Sequence, residues 1–139
     1  MFGIRNRKRT PEEQEPEPEQ AYVGETILLV EDEPAVRQLF ATALDRAGYR
    51  VIEARNGQEA MKMFDQHGES IDLLLTDMRM PYMGGAELAH HLRDRRQSLK
   101  LICISGYPNT ADAELQADFL AKPFSRDELL SKIREVLAR

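Results

Sequence analysis

From Glu25 onward the chain alternates two kinds of pattern. Short apolar runs are followed by stretches in which apolar residues return every three or four positions, the signature of strands alternating with helices. Ile27-Leu28-Leu29-Val30 is the first run, and its lack of polar interruptions predicts a strand covered on both faces. Pro34 suits the first turn of a helix, after which Val36, Leu39, Phe40, Ala43 and Leu44 recur at helical spacing. Gly48 follows as a helix terminator able to take positive φ. Arg50 to Ala54 reads as a second, weaker strand. Asn56-Gly57 reads as a turn, and Ala60, Met63 and Phe64 as a second helix ending at Gly68. Leu73-Leu74-Leu75 is a third strand, and a loop with Pro81, Gly84 and Gly85 leads into a helix carrying Leu88, Ala89 and Leu92. Leu101 to Ile104 and Phe119-Leu120-Ala121 are the fourth and fifth strands. The last helix puts Leu129, Leu130, Ile133, Val136 and Leu137 on one face. The prediction is an α/β fold, a doubly wound five-stranded parallel sheet over residues 25–139 with helices on both faces. In such sheets ligands bind at the carboxyl ends of the strands, where strand order reverses.

Composition adds boundaries to this picture. Residues 1–24 differ from the rest, with a basic cluster from Arg5 to Arg9 followed by Pro11, Glu12, Glu13, Glu15, Pro16, Glu17, Pro18 and Glu19. Such a segment buries too little apolar surface to offset the entropy of ordering, so it reads as a disordered, solvated tail. The 139 residues suit one domain, and 42% hydrophobic with 31% charged residues suits a packed core. A net charge of −5 argues against a broad nucleic-acid-binding surface. The single cysteine, Cys103, lies inside an apolar run and reads as a small core residue in a reducing compartment. No apolar stretch approaches the roughly 20 residues that span a bilayer, and no signal-peptide pattern opens the chain. These features point to a cytoplasmic protein without membrane insertion.

The candidate chemistry sits directly after the strands. Glu31, Asp32 and Glu33 follow the first, Asp77 the third, Ser105 the fourth and Lys122-Pro123 the fifth. Taken singly, each has an ordinary explanation as a helix-terminal charge, a turn or a solvated lysine. Together they place carboxylates, a hydroxyl and an ammonium along one edge of the sheet. Carboxylates gathered in one pocket repel unless a cation joins them. Mg²⁺, a hard ion with oxygen ligands, fits that need. A carboxylate oxygen can attack phosphorus, while a lysine and a hydroxyl hold the phosphoryl oxygens.

Leu29-Val30-Glu31-Asp32-Glu33, Leu75-Thr76-Asp77-Met78-Arg79-Met80-Pro81, Ile104-Ser105-Gly106 and Ala121-Lys122-Pro123-Phe124 together resemble the response regulator receiver domains of two-component signalling. The resemblance spans residues 26–139 and implies a flavodoxin-like fold. It makes Asp77 the phosphoacceptor. Glu31 and Asp32 match the acidic pair that binds Mg²⁺, with Asp32 the more direct ligand, and the backbone carbonyl of Arg79 matches a further ligand. Ser105 matches the hydroxyl that moves toward the phosphoryl group, Lys122 the lysine that pairs with its oxygens, and Phe119 the switch aromatic. A histidine kinase or histidine phosphotransfer protein is the implied donor, and a downstream protein the implied target. A metal-dependent phosphatase is the rival chemistry, but such enzymes place an acid two residues after the nucleophile, where this chain has Arg79. The chain departs from the family pattern in carrying Glu31 where Asp is frequent. It also carries a segment between Ser105 and Lys122 about one helical turn short, at about 3.6 residues per turn. A shortened fourth helix is expected there, with partner recognition moved toward the first helix around Val36 to Phe40. A stand-alone regulator and a receiver piece of a hybrid kinase both fit.

Overall fold

The computed structural model describes residues 24–106 and 117–139. The tail up to residue 23 and the segment 107–116, where the shortened fourth helix is expected, lie outside the described residues. The described elements follow in the order β1 (Thr26–Val30), α1 (Pro34–Arg46), β2 (Arg50–Ala54), α2 (Gly57–His67), β3 (Leu73–Asp77), α3 (Gly85–Arg95), β4 (Lys100–Ser105), β5 (Asp118–Ala121) and a C-terminal helix (Arg126–Leu137). All strands are parallel, in the order β2-β1-β3-β4-β5. This is the expected doubly wound, flavodoxin-like sheet.

The burial of each strand follows its place in that order. β1 and β3 are central and every residue in them is buried, which is why both read as unbroken apolar runs. β2 and β5 are edges and are only partly covered. Alternate side chains feed two cores. Leu28, Val30, Leu74 and Leu101 meet Phe64 of α2 and Leu88 and Leu92 of α3. Ile27, Leu29, Leu73, Leu75, Ile102 and Ile104 meet Leu44 of α1 and Leu129, Ile133 and Val136 of the C-terminal helix. Each such side chain contributes about 1.5–3 kcal/mol of burial free energy. Cys103 is fully buried between strands, as its sequence context predicts, and burial pushes its thiol up to about 12.

Local signals explain most boundaries. Pro34 opens α1, and Gly48 beyond its end takes φ 101°. Ser125 and Glu128 form a reciprocal capping box at the start of the C-terminal helix. Three details differ from the sequence reading. Asn56-Gly57 is not a separate turn, because the Asn56 side chain accepts from Glu59 N–H at 2.8 Å and caps α2, whose first residue is Gly57. The second helix ends at His67 and tightens into a 3₁₀ turn, Gly68–Ser70. Leu39, counted with the apolar face of α1, is 67% exposed. At about 100° per residue it lies on the order of 85° from the centre of the stripe formed by Val36, Phe40, Ala43 and Leu44.

At the amino edge of the sheet the arginines of α3 are engaged with the fold. Arg93 donates to the Leu99 carbonyl at 2.7 Å, and the following Arg96 to the Gly68 carbonyl at 2.6 Å. Arg95 pairs with Asp65 and lies over the Phe64 ring. This basic run therefore ties α3 to the end of α2.

At the opposite edge α3 starts against the end of β3. Gly85 N–H donates to the Met78 carbonyl at 3.1 Å. A Cβ on Gly85 would meet the Asp77 carbonyl oxygen well inside contact distance. Gly85→Ala should therefore destabilise the domain by about 1–3 kcal/mol through overpacking, read as a lowered urea midpoint. An unchanged midpoint would show that α3 can move aside freely.

Candidate functional site: an acidic crevice at the switch point of the sheet

β1 lies between β2 and β3, so the connections leaving β1 and β3 run to opposite faces of the sheet. Between them opens the crevice in which doubly wound sheets hold their ligands. Glu31 is the first residue after β1, and Asp77 is the last residue of β3. Ligand oxygens of Glu31, Asp32 and Asp77 all lie within 4.8 Å of one another. Glu31 is 3% exposed and Asp77 6% exposed, with Asp32 half-buried.

Glu31 and Asp77 are fixed by main-chain hydrogen bonds. Glu31 N–H donates to the Ala54 carbonyl at 3.1 Å, and Glu33 N–H donates to Glu31 Oε2 at 3.2 Å. Arg79 N–H donates to Asp77 Oδ1 at 3.1 Å, and the buried Thr76 hydroxyl donates to the Asp77 carbonyl at 3.0 Å. Met78 N–H donates to the Ile104 carbonyl at 3.0 Å, which holds the turn after Asp77 against β4. Lys122 Nζ stands 3.4 Å from Asp77 Oδ2, with its side chain 44% exposed. Ser105 is buried at the end of β4, one residue beyond the Asp77–Ile104 pairing, and its carbonyl accepts from Lys122 N–H at 2.9 Å. Phe119 is half-buried on β5, paired with Cys103 and alternating with Leu120, which packs toward the C-terminal helix.

The structure thus gathers Glu31, Asp32, Asp77 and Lys122 in one crevice, with Ser105 beside it on the neighbouring strand. Phe119 stands one strand further out, and Arg79 contacts Asp77 through its own N–H. Sequence reasoning missed Arg37, which donates from Nη1 to the Glu31 carbonyl at 2.8 Å. The sequence carries no local signal for it, because which carbonyl an arginine of α1 reaches depends on how the helix packs over the sheet. Gly85 was read only as a loop glycine.

The crevice is electrostatically unfavourable as it stands. Glu31 is raised from 4.5 to about 7, first by burial and then by the neighbouring Asp77 and Asp32 charges, against the opposing pull of the Glu33 N–H and Lys122. Among the described residues, Glu31 Oε1 is the buried side-chain oxygen left without a hydrogen-bond partner. Three converging carboxylates and an orphaned buried oxygen form the donor set that a hard cation takes. The residues present therefore fit a metal ion.

A doubly wound α/β domain with a metal-ready acidic crevice and an adjoining lysine is the class that this geometry defines. Residues 27–134 match the family described as response regulator receiver domain, and the chain belongs to that family. Among its relatives is the sensor kinase CckA of Brucella abortus (strain 2308), 41% identical over an alignment that covers 82% of this chain and 13% of the kinase. The response regulator receiver protein CpdR of the same organism is 37% identical over 80% of this chain and 95% of CpdR. The chain thus spans a small part of some relatives and nearly all of others. In three dimensions it resembles the receiver domain of the hybrid histidine kinase CckA, with TM-score 0.72 and 35% identity over 81% of this chain and 98% of that one. It also resembles the response regulator TrrA of Thermotoga maritima in complex with Mg(2+)-BeF, with TM-score 0.73 and 31% identity over 81% of this chain and 98% of that one. No helix among the described residues is long and apolar enough to cross a membrane.

The raised Glu31 carboxyl makes stability depend on pH. Between 4.5 and about 7 the folded, metal-free protein retains a proton that the unfolded chain releases. The stability this contributes is complete below the unfolded value and is lost as pH rises through the folded one. Urea midpoints of metal-free wild type should fall across that window, and Glu31→Gln should flatten the fall. Identical pH profiles for the two proteins would contradict the assignment of this proton to Glu31.

Proposed function

We propose that this domain takes a phosphoryl group on Asp77, in a Mg²⁺-dependent reaction, from a histidine kinase or a histidine phosphotransfer protein. The observation that carries the reading is the Asp77 carboxylate itself. It is buried at the switch point, held through Oδ1 by the Arg79 N–H and faced through Oδ2 by Lys122, with the Glu31–Asp32 pair opposite.

An Asp77 carboxylate oxygen attacks phosphorus, the new O–P bond forms, and the P–N bond to the donor imidazole breaks with the electron pair leaving on nitrogen. Glu31, Asp32, Asp77 and the Arg79 carbonyl are the groups to hold Mg²⁺, which supplies neutralisation of the phosphoryl and carboxylate charge. Lys122 pairs with an equatorial phosphoryl oxygen and keeps it aligned. The Ser105 hydroxyl donates to another, and Phe119, half-buried on the next strand, follows that movement as the switch aromatic. The phosphorylated form is thereby favoured over the resting one, and a downstream protein reads the difference. Beyond its own Mg²⁺-dependent phosphorylation and dephosphorylation the domain is not a turnover enzyme. It acts either as a stand-alone regulator, as its nearly full-length likeness to CpdR suggests, or as the receiver segment of a kinase such as CckA. A cytoplasmic site of action is consistent with a kinase donor.

The acceptor assignment is tested with acetyl phosphate and Mg²⁺. Wild type should gain one phosphoryl group, mapped to Asp77 by mass spectrometry, and Asp77→Asn should gain none. Phosphorylation of Asp77→Asn at the wild-type rate would refute the assignment.

Leu39 supplies the second test. It is exposed on α1, the helix that begins beside the acidic pair and toward which the sequence reading moves partner recognition. Leu39→Glu should slow transfer from a histidine phosphotransfer protein active on wild type by roughly tenfold or more, the loss typical of a contact hot spot. Its reaction with acetyl phosphate should be unaffected. Equal slowing with both donors would place the defect in the crevice and not in docking.

A further inference from the structure

Arg37 is basic, largely covered, and sits in the first turn of α1, where a cation is unfavourable with respect to the helix dipole. Its guanidinium makes two contacts. Nη1 donates to the Glu31 carbonyl at 2.8 Å, and Nε lies 3.4 Å from Glu53 Oε1 on the edge strand β2. The Glu31 carbonyl belongs to the peptide unit that joins Glu31 to Asp32. That carbonyl has left the β1 ladder and precedes the first helical turn, so it needs an outside donor. The N–H of Glu31 is already anchored to Ala54, the residue after Glu53. The end of β2 therefore grips Glu31 twice, directly at its N–H and through Arg37 at its carbonyl.

We propose that Arg37 is the positioning residue of the acidic pair: it fixes the peptide plane between Glu31 and Asp32, and Glu53 fixes Arg37, so that both carboxylates are presented together to a divalent cation. The inference rests on the reading of the crevice as a Mg²⁺ site. Without the Arg37 bond the peptide plane is free to rotate, and such a rotation turns Asp32 away from Glu31 and Asp77 while the strands stay in place. The guanidinium acts through geometry. Its bond is to the main-chain carbonyl of Glu31.

The test is calorimetric titration of Mg²⁺ into the full chain, with urea midpoints measured in parallel. Arg37→Ala should weaken Mg²⁺ binding roughly tenfold, the lower end of the loss seen when an outer-shell partner of a metal ligand is removed. Arg37→Lys, which keeps a donor able to reach the carbonyl, should recover part of that loss. Glu53→Gln should weaken binding less, and should add nothing in the Arg37→Ala background, because both changes release the same peptide. In the acetyl phosphate reaction the Mg²⁺ concentration at half-saturation should rise while the rate at saturating Mg²⁺ is retained. A purely structural role would lower the urea midpoint and leave Mg²⁺ affinity untouched, and that result overturns the proposal. If Arg37→Ala does not fold, Glu53→Gln decides by the same criterion, and affinity equal to wild type overturns it. A wild type that binds no Mg²⁺ at these acids overturns the reading of the crevice as well. A wild type that binds Mg²⁺ no better than Arg37→Ala overturns the positioning role alone.

Discussion

Three carboxylates within 4.8 Å, two of them almost fully buried, are the constraint around which the rest of the structure is arranged. Free chains avoid such an arrangement, because each charge loses hydration and faces the others at low dielectric. The sheet imposes it. β1 and β3 are paired in fixed register, and both are buried on both faces, so neither can slip without exchanging its two apolar cores. Their carboxyl ends, and the acids they carry, are held side by side by burial free energy gathered far from the crevice. Lys122 compensates only partly from a half-exposed position, and burial first, then the neighbouring acids, raise the Glu31 carboxyl to about 7.

The crevice keeps its shape because its fastenings are mostly main-chain bonds. Glu31 N–H goes to Ala54, Met78 N–H to Ile104, Gly85 N–H to Met78 and Lys122 N–H to Ser105. Bonds of this kind set where each loop lies without neutralising any carboxylate. Position and charge are thereby separated: the backbone decides where the acids sit, and the charge gathered there decides how favourable that position is. The close approach of Gly85 to the Asp77 carbonyl belongs to the same scheme, since it brings the start of α3 directly onto the acidic strand end.

The order of elements, the parallel sheet and the two central strands were legible in the sequence. Period and burial are linked so directly there that Leu73-Leu74-Leu75 and Ile27 to Val30 admit no half-exposed strand. The residue types of the site were legible too, because Glu31, Asp32, Asp77, Ser105 and Lys122 each stand at or just beyond the carboxyl end of a strand, and topology brings those ends to one edge. Helix boundaries were less so. Asn56 could be a turn residue or a cap, and only the Glu59 N–H at 2.8 Å decides it. Leu39 matched the helical period, yet lies too far round α1 to reach the core.

What tertiary structure alone decided was the set of relations between residues on different segments. That Arg37 bonds the Glu31 carbonyl and Glu53 together depends on how α1 crosses back over the edge of the sheet, and no local pattern records that crossing. The same holds for the approach of Gly85 to Asp77 and for the upward shift of Glu31, which is set first by burial and then by neighbours on other segments. Local propensity and hydrophobic period act over a few residues, and so they fix the elements and the strand ends. Hydrogen bonding to a particular carbonyl and desolvation of a particular carboxylate depend on the three-dimensional environment, and exist only once the chain has closed on itself.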